Sequence, residues 1–307
     1  MLSNLIHPLR DALMRASLPA AALFKNRNFE VTSKGDAGPL TTADLIANRI
    51  LRRELGKIDE GAGWLSEENH DNLDRLGMRR IWIVDPIDGT REFVEGLPEF
   101  SISVGLVDNG VPVLGGIALP AVNRLVVGGP GLGVRRFEYR TPPQFENTRP
   151  SPEEMEDPQS AWLDYRVEEY VESEHALLGR TRAFQLKGTR LLVSRSEHRA
   201  GLFEGFEDDF ELIPTGSVAR KLALLACDEG DLIVSLRPKN EWDTCGGTAL
   251  VHGINDSRVI ELLERRPVVY NQRVTTSIGM VAGNSHLVRQ VLDYLDRNNI
   301  QPRHSYD

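Results

Sequence analysis

The chain has very little cysteine. Its 307 residues include only Cys227 and Cys245. Two cysteines are too few for the disulfide framework of a small secreted domain, and they lack the spacing of a zinc site. We therefore expect both thiols to be reduced and buried, as in a cytosolic enzyme, and we expect a cytoplasmic location.

Long apolar runs and an excess of positive charge are also absent. No apolar stretch approaches the roughly 20 residues that a membrane-spanning helix needs, so we predict no membrane partner. The net charge is −9, which argues against a protein that coats nucleic acid, because such proteins usually carry a basic face. Apolar residues make up 40% of the chain, a content typical of globular proteins.

The first half of the chain shows helical patterns followed by strand patterns. Residues 1–25 and 41–55 have helical apolar spacing, and we interpret the first of these segments as a helix of the mature chain, not a signal peptide. Residues 63–130 contain short apolar runs between turn residues, which predict consecutive strands. Residues 141–185 are rich in Pro and Glu. We interpret them as a surface insertion with a short helix near 164–178.

Strand-like and helix-like segments alternate in the second half. This alternation predicts an α/β arrangement, with its first helix over residues 196–206. We divide the chain into an N-terminal α+β subdomain, residues 1–185, and a C-terminal α/β subdomain, residues 186–307. The fold class is therefore predicted to be α/β in the broad sense that includes α+β.

The stretch VDPIDGTREF, residues 84–93, combines turn residues with two acids. Asp85 and Asp88 follow an apolar run, and the proline between them fixes φ, so a tight turn can direct both carboxylates and the Ile87 carbonyl the same way. Carboxylate and carbonyl oxygens are the ligands that Mg²⁺ prefers. The alternative is an ordinary type I turn in which aspartate forms a local cap.

The next two residues of this stretch are suited to an anion. Gly89 lets the backbone approach a ligand closely. Thr90 begins a predicted helix, and the free N–H groups at a helix start can hold a phosphate. One short stretch thus offers metal ligands and an anion-binding position together.

Further acids occur at the ends of other predicted elements. Glu67 and Glu68 end a strand, Asp243 lies at the start of an apolar helix, and Asp44 follows Thr41 by three residues. Taken singly, these acids are typical of a solvated acidic pair, a helix cap and a capping box. Their order along the chain together with residues 84–93 is what indicates a shared site.

Four motifs carry a resemblance to a known family. The chain resembles the lithium-sensitive, Mg²⁺-dependent phosphomonoesterases, a superfamily that includes inositol monophosphatases, fructose-1,6-bisphosphatases and 3'(2'),5'-bisphosphate nucleotidases. The matching motifs are PLTTADLIANRIL at 39–51, WLSEE at 64–68, WIVDPIDGTREF at 82–93 and EWDTCGGTALV at 241–251. The resemblance implies a layered α-β-α-β-α sandwich of the sugar-phosphatase type, phosphatase activity, and sensitivity to lithium.

The resemblance also implies two or three Mg²⁺ ions. Clustered carboxylates cannot be held together without cations, which agrees with this expectation. The implied ligands are Glu67, Asp85 and the Ile87 carbonyl for one ion, Asp85, Asp88 and Asp243 for a second, and Glu67 with Glu68 for a weaker third.

Catalytic roles follow from the same resemblance. Asp44 and Thr90 match the pair that orients the attacking water, and Glu67 belongs to the catalytic set through its metal. The amides of Gly89 and Thr90 match the phosphate-binding position. Phosphoryl transfer mostly needs positioning and charge neutralisation, and this set supplies both.

The substrate is expected to carry a second anionic group. Inositol monophosphatases have a glutamate seven residues before the aspartate of the second motif, where it binds a sugar hydroxyl, but here that position is Leu236. Arg237 and Lys239 follow it. An apolar residue with two cations disfavours a bare polyol.

Two further segments resemble the bacterial bisphosphate nucleotidase branch. Gly216, Ser217 and Lys221 match its substrate-binding helix, and Ser194 with Arg195 match its VSRSH segment. These matches favour 3'-phosphoadenosine 5'-phosphate, or PAPS, a substrate linked to sulfur metabolism. We expect a small-molecule phosphate ester as the ligand, no nucleic acid, and consider a homodimer.

Three alternatives remain at this point. One is a phosphatase acting on inositol phosphates or fructose-1,6-bisphosphate, and another is a catalytically inactive regulatory homologue. A third is a dinucleotide binder, suggested by Gly129 and Gly131. Its fingerprint would need a third glycine at 134, where the chain has Val134.

Overall fold

The computed structural model describes residues 2–35, 38–141, 171–175 and 185–305. Helices occur both in the ranges that end at residue 141 and in the range that begins at residue 185. Their bounds are α1 Ile6–Asn26, α2 Thr42–Ile58, α3 Thr90–Glu95, α4 Arg195–Arg199, α5 Val218–Ala226, α6 Glu241–His252 and α7 Ser285–Arg297.

The first large sheet has seven strands that lie in chain order. The first two strands of this sheet are parallel, and each later pair is antiparallel. A separate hairpin precedes it, formed by β1 Val31–Ser33 and β2 Pro39–Thr41. The bounds in the large sheet are β3 Gly63–Ser66, β4 Arg80–Asp88, β5 Ser101–Asp108, β6 Val111–Leu119, β7 Arg124–Gly129, β8 Gly133–Glu138 and β9 Val171–His175.

The second large sheet has six strands in the order β11-β10-β12-β15-β13-β14. The strand β10 is parallel to both of its neighbours, and the remaining pairs are antiparallel. The bounds are β10 Thr189–Ser194, β11 Phe210–Thr215, β12 Leu232–Asn240, β13 Ser257–Glu261, β14 Arg266–Pro267 and β15 Thr276–Asn284.

Helices separate and cover the two sheets. Helices α1 and α2 pack on one face of the first sheet, α5 and α6 lie between the sheets, and α7 covers the outer face of the second. Strands β5 and β6 are almost wholly buried because both of their faces are covered. The layered α-β-α-β-α sandwich expected from the sequence is confirmed.

Two glycines let helix α6 lie directly on the first sheet. A Cβ added to Gly105 would lie 2.3 Å from Cys245 Sγ, and one added to Gly115 would lie 2.0 Å from the Gly246 carbonyl oxygen. Only residues without a side chain allow this approach. Cys245 is buried at this contact, and Cys227 is buried as well.

Two helices predicted from the sequence are wrong in the described residues. Residues 171–175 form strand β9, which pairs with β8, so part of the predicted insertion belongs to the first sheet. The rest of the segment predicted as a helix near 164–178 lies outside the described residues. The helix predicted over 196–206 ends at Arg199, because Gly201 and Gly205 adopt positive φ and break the helical path.

Among the helices that the structure describes, none is both long enough and apolar enough to cross a bilayer.

Candidate active site

Acids from two strands meet at one edge of the first sheet. Strands β3 and β4 are parallel, with Ser66 opposite Val84. Glu67 and Glu68 therefore leave β3 beside Asp85, and the Glu67 N–H donates to the Val84 carbonyl at 3.3 Å. Asp85 itself is only 1% exposed. The pairing of the two strands thus places acids that are distant in sequence side by side.

A bulge in β4 brings Asp85 and Asp88 together. The two aspartates pair with Ser103 and Ser101 of β5, so three steps along β4 match two along β5. In a regular strand, positions three apart face opposite sides of the sheet, and a bulge changes that relation. The tight turn predicted here is therefore a bulged strand. The Ile87 N–H donates to Asp85 Oδ1 at 3.1 Å and holds that carboxylate in place.

Helix α6 brings Asp243 to the same acids. Asp243 is the third residue of the helix, and its Oδ2 accepts a hydrogen bond from the Asn240 N–H at 2.8 Å in a capping box. Burial, together with the charges of Asp88 and Glu67, raises the pKa of Asp243 to about 8. The capping role and the site role anticipated for this residue are compatible.

The acids form one electrostatic group around Asp85. Burial raises the pKa of Asp85 well above its usual value, and the charges of Glu67, Asp88, Asp243 and Asp44 act in the same direction. In the portion of the chain that the structure describes, no three Asp, Glu, His or Cys side chains already converge closely enough to hold one metal ion. The donors present are carboxylates and a carbonyl, which fit a hard divalent cation that would draw them together.

A lysine lies on the two acids that follow β3. Lys34 Nζ is 2.8 Å from Glu67 Oε1 and also contacts Glu68 Oε1. Burial raises the pKa of Glu68 to about 7, while the hydrogen bond and charge of Lys34 lower it. The position predicted for a weak third ion is therefore next to an ammonium group of the chain itself.

Asp44 and Thr90 are hydrogen-bonded in the interior. Thr90 Oγ1 lies 3.2 Å from Asp44 Oδ1 and 2.9 Å from the Ile87 carbonyl oxygen. Asp44 Oδ2 accepts from both the N–H and the hydroxyl of Thr41. Burial raises the pKa of Asp44 to about 6, and the Thr41 hydrogen bonds oppose that rise. The structure thus brings together the two residues that were predicted to orient water.

Residues at the start of helix α5 donate hydrogen bonds to Asp88. Asp88 Oδ2 accepts from Ser217 Oγ at 2.7 Å and from the Ala219 N–H at 2.6 Å. Ser217 also contacts Ser101 Oγ at 2.8 Å, and its φ is 55°. Gly216 and Ser217 therefore lie at the site, although the Ser217 hydroxyl is already used by Asp88.

The predicted substrate-binding cations have intramolecular partners. Arg195 donates to both carboxylate oxygens of Glu99. Lys239 is buried and lies 3.1 Å from Glu197 Oε1. Lys221 is 1% exposed, and its Nζ donates to the Ser217 carbonyl at 2.9 Å.

Lys221, Ser194 and Arg237 lie in different surroundings. Burial lowers the pKa of Lys221 to about 8, while the nearby Asp88 charge opposes that fall. Ser194 contacts the Ser196 hydroxyl at 2.9 Å. Arg237 has a buried Nε without a hydrogen-bond partner within the described ranges. Among the predicted cations, Arg237 is the one with a buried nitrogen that has no hydrogen-bond partner in the described residues.

Several residues of the site were missed by the sequence reasoning. Glu99 accepts the Gly216 N–H at 2.8 Å as well as Arg195. Glu197 is fully buried and holds Ser235 and the Leu236 N–H. The only sequence signal for either glutamate was its closeness to a motif, and neither has a spacing typical of an ion pair.

Comparison with known proteins identifies the family. The sequence model of the inositol monophosphatase family matches residues 2–286. The chain belongs to the inositol monophosphatase family. The resemblance inferred from the motifs is confirmed, and with it the class of the protein, a phosphatase. The family match also spans the described residues that carry every acid of the site.

Relatives in the inositol monophosphatase family carry the names of different phosphatases. The 3'(2'),5'-bisphosphate nucleotidase CysQ of Escherichia coli K12 is 26% identical over 227 residues, covering 72% of this chain and 76% of that protein. The inositol-1-monophosphatase of Rhizobium meliloti is 37% identical over 140 residues, covering 44% of this chain and 52% of that one. The CysQ crystal structure from Bacteroides thetaiotaomicron has a TM-score of 0.67 and 24% identity, covering 93% and 98% of the two chains.

Proposed function

We propose that this phosphatase is a Mg²⁺-dependent phosphomonoesterase that removes the 3'-phosphate of 3'-phosphoadenosine 5'-phosphate or PAPS. The observation that carries the proposal is the buried acid group around Asp85, which adjoins the hydrogen-bonded pair of Asp44 and Thr90. Such a group of acids requires cations, and phosphoryl transfer requires the same cations beside a positioned water.

The donor set fits Mg²⁺. Glu67, Asp85 and the Ile87 carbonyl would hold one ion, and Asp88 and Asp243 would join Asp85 at a second. When bound, Mg²⁺ supplies the positive charge that neutralises the acids and the phosphate ester and makes water more acidic. Since Lys34 already contacts Glu67 and Glu68, we propose that two ions are needed and that a third is dispensable.

Asp44 and Thr90 position the attacking water. The Thr90 hydroxyl donates to Asp44 or to the Ile87 carbonyl, which leaves its lone pairs free to accept from water. Asp44 is fixed by Thr41 and can take up a proton, because its pKa is raised to about 6. The Gly89–Thr90 backbone would hold the phosphate, since Gly89 has a φ of 92° and starts helix α3.

Thr90→Val is expected to lower kcat by about a hundredfold while KM changes by less than about threefold. Valine keeps the shape of threonine but removes the hydroxyl that lies between Asp44 and the Ile87 carbonyl. Steady-state kinetics with Mg²⁺ would measure both constants. Thr90→Ser is the matched control, because it keeps the hydroxyl. An unchanged kcat in Thr90→Val would show that another group orients the water.

The nucleotide substrate is supported by the CysQ relatives and by Arg237. A bisphosphate needs a cation for its second phosphate, and the Arg237 Nε is buried without a hydrogen-bond partner within the described part of the chain. Lys221 adds a positive charge within electrostatic reach of Asp88.

A second candidate is a phosphatase of polyol or sugar phosphates. It is favoured by the ion pairs of Arg195 with Glu99 and of Lys239 with Glu197, which occupy two of the cations expected for a second phosphate. The Rhizobium meliloti relative carries an inositol-1-monophosphatase name.

A phosphate-release panel with Mg²⁺ tests the proposed function. It compares 3'-phosphoadenosine 5'-phosphate, myo-inositol 1-phosphate and fructose-1,6-bisphosphate. The bisphosphate nucleotide is expected to have the highest kcat/KM by at least about tenfold. Of the three esters, it alone combines a ribose with a second phosphate that a cation of the site can bind. A preference for either of the other two esters would replace the proposed substrate with the second candidate.

A further inference from the structure

Glu92 lies in the site without a role in the proposed reaction. It is the third residue of helix α3 and is half-buried. A Cβ added to Gly216 would lie 2.6 Å from Glu92 Cγ and 2.8 Å from its Oε1, and one added to Gly89 would lie 3.4 Å from its Oε2. The two glycines therefore leave the space that the Glu92 side chain fills between the loops on either side of Asp88.

The Glu92 carboxylate has almost no internal partners. Across the residues that the structure describes, it forms no ion pair and no hydrogen bond to another residue, and it accepts only from its own backbone N–H. Glu99 in the same segment differs, because Arg195 and the Gly216 N–H occupy its oxygens. An ionised carboxylate can accept about four hydrogen bonds, so most of the acceptor capacity of Glu92 is unused.

The chemistry of Glu92 limits what it can bind in the site. Burial raises the pKa of Glu92, the charge of Asp88 also raises it and that of Lys221 lowers it, so both charges lie within electrostatic reach. A phosphate dianion has no proton to donate and is repelled by a carboxylate. The group that fits Glu92 is therefore a donor on the alcohol half of the substrate, and a hydroxyl next to the ester is such a donor.

We propose that Glu92 determines specificity by accepting a hydrogen bond from the hydroxyl adjacent to the scissile phosphate ester. This inference rests on the proposed function. In the nucleotide substrate, the hydroxyl is the ribose 2'-OH. The position where inositol monophosphatases carry a hydroxyl-binding glutamate is here the buried, apolar Leu236, so Glu92 supplies a carboxylate from a different element.

A pair of substrates that differ by one hydroxyl tests this role. We would measure kcat/KM for 3'-phosphoadenosine 5'-phosphate and for its 2'-deoxy form. The wild-type protein is expected to prefer the ribose form by at least about tenfold, because only the ribose form donates a hydrogen bond to the Glu92 carboxylate. Glu92→Ala should lose at least about tenfold on the ribose form and stay within about threefold on the deoxy form. Glu92→Gln should keep part of the preference, because its amide oxygen still accepts.

Glu95→Ala is the matched control, since Glu95 is an exposed glutamate at the end of the same helix. It should keep the wild-type preference. Equal losses on both substrates in Glu92→Ala and Glu92→Gln, with lower melting temperatures, would assign Glu92 to stabilising α3 and overturn the proposal.

A third substrate separates the two levels of inference. p-Nitrophenyl phosphate has no hydroxyl next to the ester, so its Mg²⁺-dependent hydrolysis reports the reaction without the proposed contact. If the wild-type protein hydrolyses it and shows the same ribose-to-deoxy ratio as Glu92→Ala, the role of Glu92 is wrong and the phosphatase remains. If the wild-type protein hydrolyses none of the three esters, both the proposed function and this inference are overturned.

Discussion

Asp88→Asn is expected to lower Mg²⁺-dependent phosphate release by on the order of a thousandfold or more. Asparagine keeps the shape of the side chain but removes one of the negative charges that would hold the second ion. The amide oxygen can still accept from Ser217 Oγ and the Ala219 N–H, which now bond to Asp88 Oδ2. The loss should therefore come from metal binding and not from a displaced helix α5. Phosphate release at increasing Mg²⁺ concentrations would measure it.

The same substitution should not destabilise the metal-free protein. Burial raises the pKa of Asp88, so its charged form is costly in the fold, and a neutral amide removes that cost. The melting temperature in EDTA should be equal to or above that of the wild type, while the stabilisation by added Mg²⁺ should shrink. Asp108→Asn, at the opposite end of the β4–β5 pair, is the control and should keep activity. Full Mg²⁺-dependent activity in Asp88→Asn would refute its assignment as a ligand.

Without metal, the protein is expected to become less stable as the pH rises from about 5.5 to about 8. The pKa values of Asp44, Glu68 and Asp243 are raised to about 6, 7 and 8, in each case chiefly by burial. In this pH range the folded chain holds protons that the unfolded chain has already released. The stability that these protons provide is present at low pH and is lost as the pH passes each folded-state pKa. Lys221 acts in the opposite direction above the range, because its pKa is lowered to about 8 and the folded chain releases this proton before the unfolded chain does.

Thermal unfolding in EDTA across this pH range would measure the effect. A fall of several degrees is expected for the wild type, because shifts of two or more pKa units correspond to a few kcal/mol. Saturating Mg²⁺ should largely remove the fall, since the cation takes the place of the protons. Asp243→Asn in EDTA should show a shallower fall than the wild type. A melting temperature that is independent of pH in EDTA would mean that the acids are not coupled in the way described.

Much of the acid group was predictable because local sequence places it at element ends. Asp85 follows an apolar strand, and Asp243 begins an apolar helix, so each position followed from patterns within a few residues. Their roles as metal ligands stay predictions. The bulge between Asp85 and Asp88 was not predictable, since it depends on pairing with β5.

The partners of the cations could not be read from spacing. Arg195, at the start of helix α4, meets Glu99, which lies far away in sequence, and Lys239 meets Glu197 in the interior. Charged side chains are usually exposed, so an isolated lysine or arginine predicts a ligand contact no better than an internal pair. Lys34 on Glu67 is a further case, because a hairpin brings it there.

The fold was predicted well where the elements are apolar and poorly where they are polar. The strands of the first sheet from β4 to β7 bury nearly all their residues and have clear patterns. Strand β9 has the sequence VESEH, which forms a strand because it pairs with β8 at a sheet edge. An edge strand depends on its neighbour more than on its own residues.

The contact of α6 with Gly105 and Gly115 fixes the geometry of the site by close packing. Because neither glycine has a side chain, Cys245 Sγ and the Gly246 carbonyl of the helix approach the sheet closely, and this approach sets the distance from Asp243 to the acids of β4. Substitution is therefore poorly tolerated at Gly105 and Gly115. Any methyl group added there would push the helix outward, and the Asp243 carboxylate would move away from Asp85 and Asp88 with it.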